Sequence, residues 1–480
     1  MEATSTPAVE IDPTTGFRGQ TIHPGEAGYD EARAVINGMV DRRPALVVRP
    51  TGAADIIAAV NLGRETGLPV AAKCGGHQVA GHAVADGGIL VDLSGLKGVV
   101  VDPTSRRARV NAGALWGEVD RETQLFGLAT PGGRVTTTGV AGFTLGGGYG
   151  WLSSVYGLAC DNLVAADVVT ADGRLVKVSE TENPELLWGL RGAGANFGIV
   201  TSFEFALHPV GPIVQAGMLI HPLQDALDVV RAYRTFVENA PEQLVTALAI
   251  VQAPPAPFVP PEMVGTPVLG MIGFWTGDLA EGEAALAGLR AIGPPLMDLI
   301  EPMPYPAFQG MLDDFAPSGW RGYHRGEHLT GLTDDGAAAF LAAGEQRLSP
   351  LTQAILFRTG GAVSRVPDSA TAASHRDAVY MAHPIAQWQD QSEDATHIGW
   401  ANAFSDALRP WTTGGVYLNF EQAPGEDHVR RGYSPDKWDR LVSLKEEWDP
   451  YNVFRSNANI VPHRTLTLPD QQRAKTTTRH

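Results

Sequence analysis

The sequence predicts an α+β protein of two domains with a C-terminal segment of different character, and three observations carry that reading. Up to residue 210, short apolar runs, helical segments and glycine-rich turns alternate. Beyond residue 210 the strand candidates lengthen and are separated by amphipathic helices. From residue 411 the motifs change again, to Gly414-Gly415-Val416-Tyr417-Leu418-Asn419-Phe420 and Trp448-Asp449-Pro450-Tyr451-Asn452-Val453-Phe454-Arg455. A chain of 480 residues with 44% hydrophobic content is long enough to bury a core in each part.

The elements follow in order. Leu46-Val47-Val48-Arg49-Pro50 reads as a strand, and residues 53–67 read as a helix, with Ile56, Ile57, Val60 and Leu62 at helical spacing. Leu68-Pro69-Val70-Ala71-Ala72 leads as a strand into a glycine loop. Gly88-Ile89-Leu90-Val91-Asp92-Leu93 and Gly98-Val99-Val100-Val101-Asp102 are further strands, and residues 108–112 alternate. Residues 183–189 read as a short helix. In the second part, 213–220 and 245–252 are strands, with an amphipathic helix over 223–239. The proline-rich run 254–261 cannot continue a central strand and reads as a loop between strands of that domain. No repeat of fixed period is present.

Composition excludes several functions. A formal charge of -17 argues against nucleic acid and anionic membrane surfaces, both of which select clustered Lys and Arg. Two cysteines, Cys74 and Cys160, are too few for a disulfide framework, so a reducing compartment is the default. Met1-Glu2-Ala3-Thr4-Ser5-Thr6 has no basic segment followed by an apolar core, and no apolar run would span a bilayer. A cytoplasmic location is expected. The oligomeric state is not encoded in any pattern found.

Two glycine clusters are the most informative motifs. Lys73-Cys74-Gly75-Gly76-His77-Gln78-Val79-Ala80-Gly81-His82 sits at a strand end, where glycines let main chain approach phosphates and a histidine can reach a ring. A second cluster, Gly139-Val140-Ala141-Gly142-Phe143-Thr144-Leu145-Gly146-Gly147-Gly148-Tyr149-Gly150, follows the hydroxyl run Thr136-Thr137-Thr138. Two such loops point to one extended ligand. Gly192-Ala193-Gly194-Ala195-Asn196-Phe197-Gly198 is superficially a dinucleotide fingerprint, but its last spacing is wrong and a strand follows it where a helix is required, which argues against NAD.

The clusters continue with Val91-Asp92-Leu93-Ser94, Trp188-Gly189-Leu190-Arg191-Gly192, Asn196-Phe197-Gly198-Ile199-Val200-Thr201, Tyr417-x-Asn419 and Asp449-Pro450-x-Asn452-x-Phe454-Arg455-x-Asn457. In this order, over nearly the whole chain, they resemble the berberine-bridge-enzyme-like flavoprotein oxidases of the vanillyl-alcohol-oxidase superfamily.

That resemblance implies a PCMH-type FAD-binding domain of two subdomains over 1–210, and an α+β substrate-binding domain with an antiparallel sheet over 211–410. It further implies a segment over 411–465 completing the FAD domain and active site, then a polar tail over 466–480. His77 matches the histidine bonded to the flavin 8α-methyl group. Many relatives add a cysteine tether, and Val135 stands in its place, so FAD is expected to be attached through His77 only. Gly75, Gly76 and Gln78, with Thr136, Thr137, Thr138 and Gly139, would cradle the pyrophosphate. Lys73, Cys74, Gly81, His82, Gly142, Gly147, Gly148, Tyr149, Gly198, Val200 and Asn457 complete the expected cofactor contacts, and Thr138 and Phe143 are expected near the flavin ring.

For catalysis the resemblance points to Tyr417 as base, with Asn419 beside it; two apart on an expected strand, both would share one face and also touch the cofactor. A phenol needs a nearby positive charge or hydrogen bonds to act as base at neutral pH. The expected reaction moves a hydride from an alcohol, sugar, amine or secondary metabolite to flavin N5, with molecular oxygen reduced to hydrogen peroxide. A flavin dehydrogenase, an oxidative cyclase or tailoring enzyme, and a non-catalytic flavin-binding protein are the alternatives. Arg321-Gly322-Tyr323-His324-Arg325-Gly326-Glu327-His328 concentrates titratable groups that could face the substrate from the second domain, but it reads first as a solvated loop, and its histidine pair lacks both a helix and a third ligand, so no metal is expected. His82 and His375 read more readily as structural than catalytic.

Overall fold

The computed structural model describes residues 16–255, 259–346, 348–422 and 425–466. The N-terminal hexapeptide, part of the proline-rich run and all but the first residue of the polar tail lie outside them.

Among the described residues three large sheets organise the chain, beside a two-stranded pairing of Leu128–Ala129 with His208–Pro209. The first carries strands Gln20–Ile22, Leu46–Arg49, Ile89–Asp92 and Val70–Lys73 in that spatial order. The last three are parallel, which explains their continuous apolar runs, since both faces are covered. Helix Ala53–Thr66 packs on this sheet through Ile56, Ala59 and Val60. The second sheet is antiparallel, in the order Val99–Asp102, Arg107–Asn111, Gly198–Ala206, Leu163–Thr170, Leu175–Ser179. Phe203, Phe205 and Val110 join its inner face to the core of the first sheet.

Returning chain closes that core. Helix Pro435–Trp448 buries Trp438, Leu441, Val442 and Leu444 there, and Val453, Phe454 and Ile460 follow. The Asp449-Pro450-x-Asn452 turn is held from inside. Lys445 and Asp449 are both 0% exposed; Lys445 Nζ donates to Asp449 Oδ2 at 2.6 Å and to the carbonyls of Asn196 and Phe454. Asp449 in turn accepts from the amides of Val453 and Phe454.

The third sheet has ten strands, all paired antiparallel, including Ile213–Pro222, Leu244–Gln252, Pro267–Trp275, Gln353–Arg358 and Tyr380–Trp388. Helices Ala226–Glu238, Leu279–Arg290, Asp334–Glu345 and Asp394–Leu408 cover its outer face. Its inner face, with Phe274, Phe357, Met381 and Ile385, packs against Tyr149, Trp151 and Leu152 from the second glycine cluster. That packing sets the glycine loops opposite the sheet.

Two local expectations are corrected. Residues 321–328 are no solvated loop: Arg321–His324 and Glu327–Leu329 both pair with Tyr380–Trp388 inside the long sheet. Tyr417 and Asn419 do not lie on a strand. The strand Thr412–Val416 ends one residue earlier, and Leu418–Phe420 form a 3-10 turn. The Tyr417 amide is bonded to Gly326 O at 2.9 Å, after which the chain turns inward.

Candidate active site

A cavity of about 340 Å³ lies between the glycine loops and the inner face of the long sheet. One end is built for an anion. Gly75, Gly76, His77 and Gln78 line it, and among the described residues the main-chain N–H groups of Gly76, His77 and Gln78 donate to no protein acceptor. Gly76 takes φ +66°, the left-handed conformation that turns such a nest. A β-carbon on Gly75 would stand 2.5 Å from the Gly139 nitrogen, so the two loops meet only because both residues are glycine.

His77 lies within hydrogen-bond reach of Thr137 Oγ1, 2.8 Å from its Nε2. It faces the cavity rather than bulk water, and desolvation lowers its pKa to about 4 despite the opposing charge of Asp313. The imidazole is therefore neutral at pH 7, the form whose ring nitrogen can bond to an electrophile. Val135 lines the cavity with no thiol to offer. Cys74 also lines it, but its Sγ donates to Ala114 O at 3.2 Å and burial pushes the thiol up to about 11.

Of the other expected contacts, His82, Thr138, Gly139, Gly142, Tyr149, Gly198, Val200, Asn419 and Asn457 line the same cavity. Lys73, Gly81, Thr136, Thr137, Gly147, Gly148 and Tyr417 do not. Lys73 is buried against Ala32 O and lies 3.8 Å from Asp92, which also accepts from Arg49. Thr136 gives its amide and its hydroxyl to Asp313. These two support the loop from behind. Gly147 and Gly148, at φ +104° and +82°, shape the turn that carries Tyr149 inward.

Tyr417 sits behind this wall, beside a smaller cavity of about 40 Å³ that it shares with His328 and His375. Three N–H groups converge on its hydroxyl oxygen: the amides of Gly148 at 3.1 Å and Tyr149 at 2.9 Å, and Asn419 Nδ2 at 3.1 Å. Asn419 also donates to Phe143 O, fixing the amide at the boundary of the two cavities. Burial raises the Tyr417 pKa, while the Tyr149 amide, Asn419, the Arg134 charge and the Gly148 amide pull it down.

The sheet side supplies further groups, of which the sequence offers His324 as one that could face the substrate and does not offer His383, Gln353 or Gln387. His324 faces the cavity from the corrected strand, desolvated to a pKa of about 3. His383 stacks on Phe420 at 3.7 Å between centroids, and its Nε2 has no hydrogen-bond partner among the described residues. Gln353, Gln387 and Arg134 complete the polar lining. The signal for Arg134 was one charged residue in the otherwise uncharged run Ala129-Thr130-Pro131-Gly132-Gly133-Arg134-Val135. Among the described residues no group of three or more His, Cys, Asp or Glu is placed to hold a metal, and no helix is long and apolar enough to cross a membrane.

Residues 44–179 match the FAD binding domain family, and residues 416–461 match the berberine and berberine-like family. An FAD-linked oxidoreductase of Dictyostelium discoideum is 31% identical over 424 residues, covering 87% of this chain and 89% of the relative. The chain is a berberine-bridge-like FAD-linked oxidoreductase. The (R)-6-hydroxynicotine oxidase of Paenarthrobacter nicotinovorans is 29% identical over 463 residues, 93% of this chain and 97% of its own length. The crystal structure of 6-hydroxy-D-nicotine oxidase from Arthrobacter nicotinovorans superposes with TM-score 0.84 at 27% identity, over 94% of this chain and 99% of that one. The fold is thus that of an FAD-linked oxidase, with its FAD-binding part resting on the returning C-terminal segment.

Proposed function

We propose that this FAD-linked oxidase takes a hydride from a small alcohol, sugar, amine or secondary metabolite bound between the glycine loops and the long sheet, with Tyr417 as base and molecular oxygen as final oxidant. The observation that carries it is the convergence of three N–H groups on the Tyr417 oxygen. A neutral phenol oxygen accepts two hydrogen bonds at most, so a third donor is fully used only once the proton has gone. Asn419 is the replaceable donor because it is the one side-chain donor of the three and its residue lines the larger cavity, whereas Gly148 and Tyr149 donate from the main chain. A substrate hydroxyl or amine that displaced its amide would meet an oxygen still held by the Gly148 and Tyr149 amides, and would pass its proton there.

FAD, when bound, supplies the hydride acceptor. The N–H groups of Gly76, His77 and Gln78 fit its pyrophosphate, and neutral His77 fits a single covalent link, with no cysteine at position 135 to add a second. Division of the chain near 210 and 410 into FAD-binding, substrate-binding and returning parts is supported by the separate cores of the sheets.

A second reading has its own observation. His383 is neutral, unpaired at Nε2 and already on the wall of the larger cavity, so it can accept a proton without any displacement.

The deciding experiment is the absorbance of purified protein before and after acid precipitation, beside His77→Ala, followed by peroxide release across a substrate panel. Yellow colour that stays with the wild-type pellet and leaves the variant supports a single link; a colourless protein overturns the cofactor reading. Loss of turnover in Tyr417→Phe with His383→Gln active keeps Tyr417 as base, and the reverse transfers the role to His383.

A further inference from the structure

Arg134 is a buried cation without a carboxylate partner among the described residues. It is 8% exposed, yet its Nε makes no hydrogen bond and, among the described residues, no carboxylate pairs with its guanidinium. Three aromatic rings enclose it, with centroids 3.5 Å away for Phe357, 4.8 Å for Tyr149 and 5.1 Å for Trp151. Such rings offset only part of what a guanidinium loses on leaving water. Desolvation lowers its pKa to about 10, so it keeps its charge at neutral pH.

Its surroundings select the sign of a guest. Among the described residues the cavity wall holds no Asp, Glu or Lys, although the chain has 53 acidic residues. The histidines of the wall are held neutral by burial, so Arg134 is its one permanent charge. Phosphate would bind elsewhere, in the nest at 75–78. Arg134 leans instead on Phe357 of the strand Gln353–Arg358, on the sheet side of the cavity.

We propose that the substrate carries a carboxylate that pairs with Arg134, and an apolar or aromatic body that lies against Phe315, Trp320 and Ile385. The planar guanidinium matches a carboxylate by two parallel hydrogen bonds, and the lining around it is otherwise uncharged. Gln353 and Gln387 would orient further polar groups. This inference rests on the reading of the cavity as the substrate site of an FAD oxidase, and it narrows that site to organic acids.

The test uses the purified holoprotein with benzoate and its neutral isostere benzamide, titrated by calorimetry and by the change in flavin absorbance. Benzoate is expected to bind at least about tenfold more tightly than benzamide, as a charge-assisted pair requires. Arg134→Met should erase the preference, and Arg134→Lys should retain part of it. Equal binding of the two probes to wild type would overturn the proposal, and that comparison needs no variant to fold. So would an Arg134→Met protein that keeps the benzoate preference but shows a shifted flavin midpoint potential, which would assign the cation to the cofactor. A colourless wild type would overturn the flavin reading separately, and the calorimetric ratio would still decide this one.

Discussion

The side-chain amide of Asn419 occupies the space that a β-carbon on Gly146 would need. Such a carbon would lie 2.7 Å from Asn419 Nδ2 and 2.6 Å from its Cγ. Gly146 has φ −89°, which any residue adopts, so the requirement for glycine here is steric. Gly146→Ala should push Asn419 off both Tyr417 and Phe143 O. Steady-state kinetics should show turnover lowered at least about tenfold, with flavin content and fold retained; an unchanged kcat would remove Asn419 from the mechanism.

Tyr417→Phe keeps the ring and deletes the oxygen on which three donors converge. A loss of roughly a hundredfold to ten-thousandfold in kcat is expected of a lost base, with flavin spectrum unchanged. Burial raises the phenol above its ordinary value, so the wild-type rate should climb with pH through the neutral and alkaline range as the proton becomes easier to remove. In the variant that slope should vanish. A wild-type profile flat from pH 6 to 10 would instead suit His383, which titrates well below 6.5.

Asp120 gives a stability prediction of opposite sign to the usual carboxylate. It is buried, with Gln309 Nε2 at 3.1 Å as its side-chain partner, and desolvation raises its pKa to about 7. Between the unfolded value near 3.8 and about 7 the native state holds a proton that the unfolded chain releases. The contribution is present in full below 3.8 and is lost as pH rises through 7. Asp120→Asn should therefore raise the Tm by a few °C at pH 8 and change little at pH 4. Gln309 Oε1, which lacks a partner, would gain a donor. Equal shifts at both pH values would show that the carboxyl stays ionised.

Lys445→Met would leave Asp449 buried without its counter-ion. Loss of one member of such a pair costs about 3–5 kcal/mol, enough to lower the denaturation midpoint clearly. Because the two side chains act on one turn, the double variant Lys445→Met with Asp449→Leu should lose less than the sum of the singles. Additive losses in a chemical denaturation series would mean the pair is not coupled.

Much of the scaffold was legible because short-range pattern and burial agree in it. The parallel strands at 46–49, 70–73 and 89–92, and the helix at 53–66, are written in apolar runs and 3.6-residue spacing. Residues 321–328 were not, because their burial comes from pairing with Tyr380–Trp388, more than fifty positions away, and nothing local to Arg-Gly-Tyr-His announces that partner. Tyr417 and Asn419 do meet, but through a 3-10 turn made after Tyr417 binds Gly326, a contact that alternation cannot encode. Arg134 was missed for a related reason: one arginine beside two glycines acquires meaning only when Phe357 closes over it.

The returning helix has a consequence for how the protein is made. Phe203 and Val110 wait for Leu441, Phe454 and Ile460 to finish their shared core, and the Lys445 ammonium reaches Asn196 from the far end of the chain. A nascent polypeptide that has emerged only as far as residue 210 still exposes that surface to water. The ribosome must deliver the returning helix and the turn after it before this core is sealed.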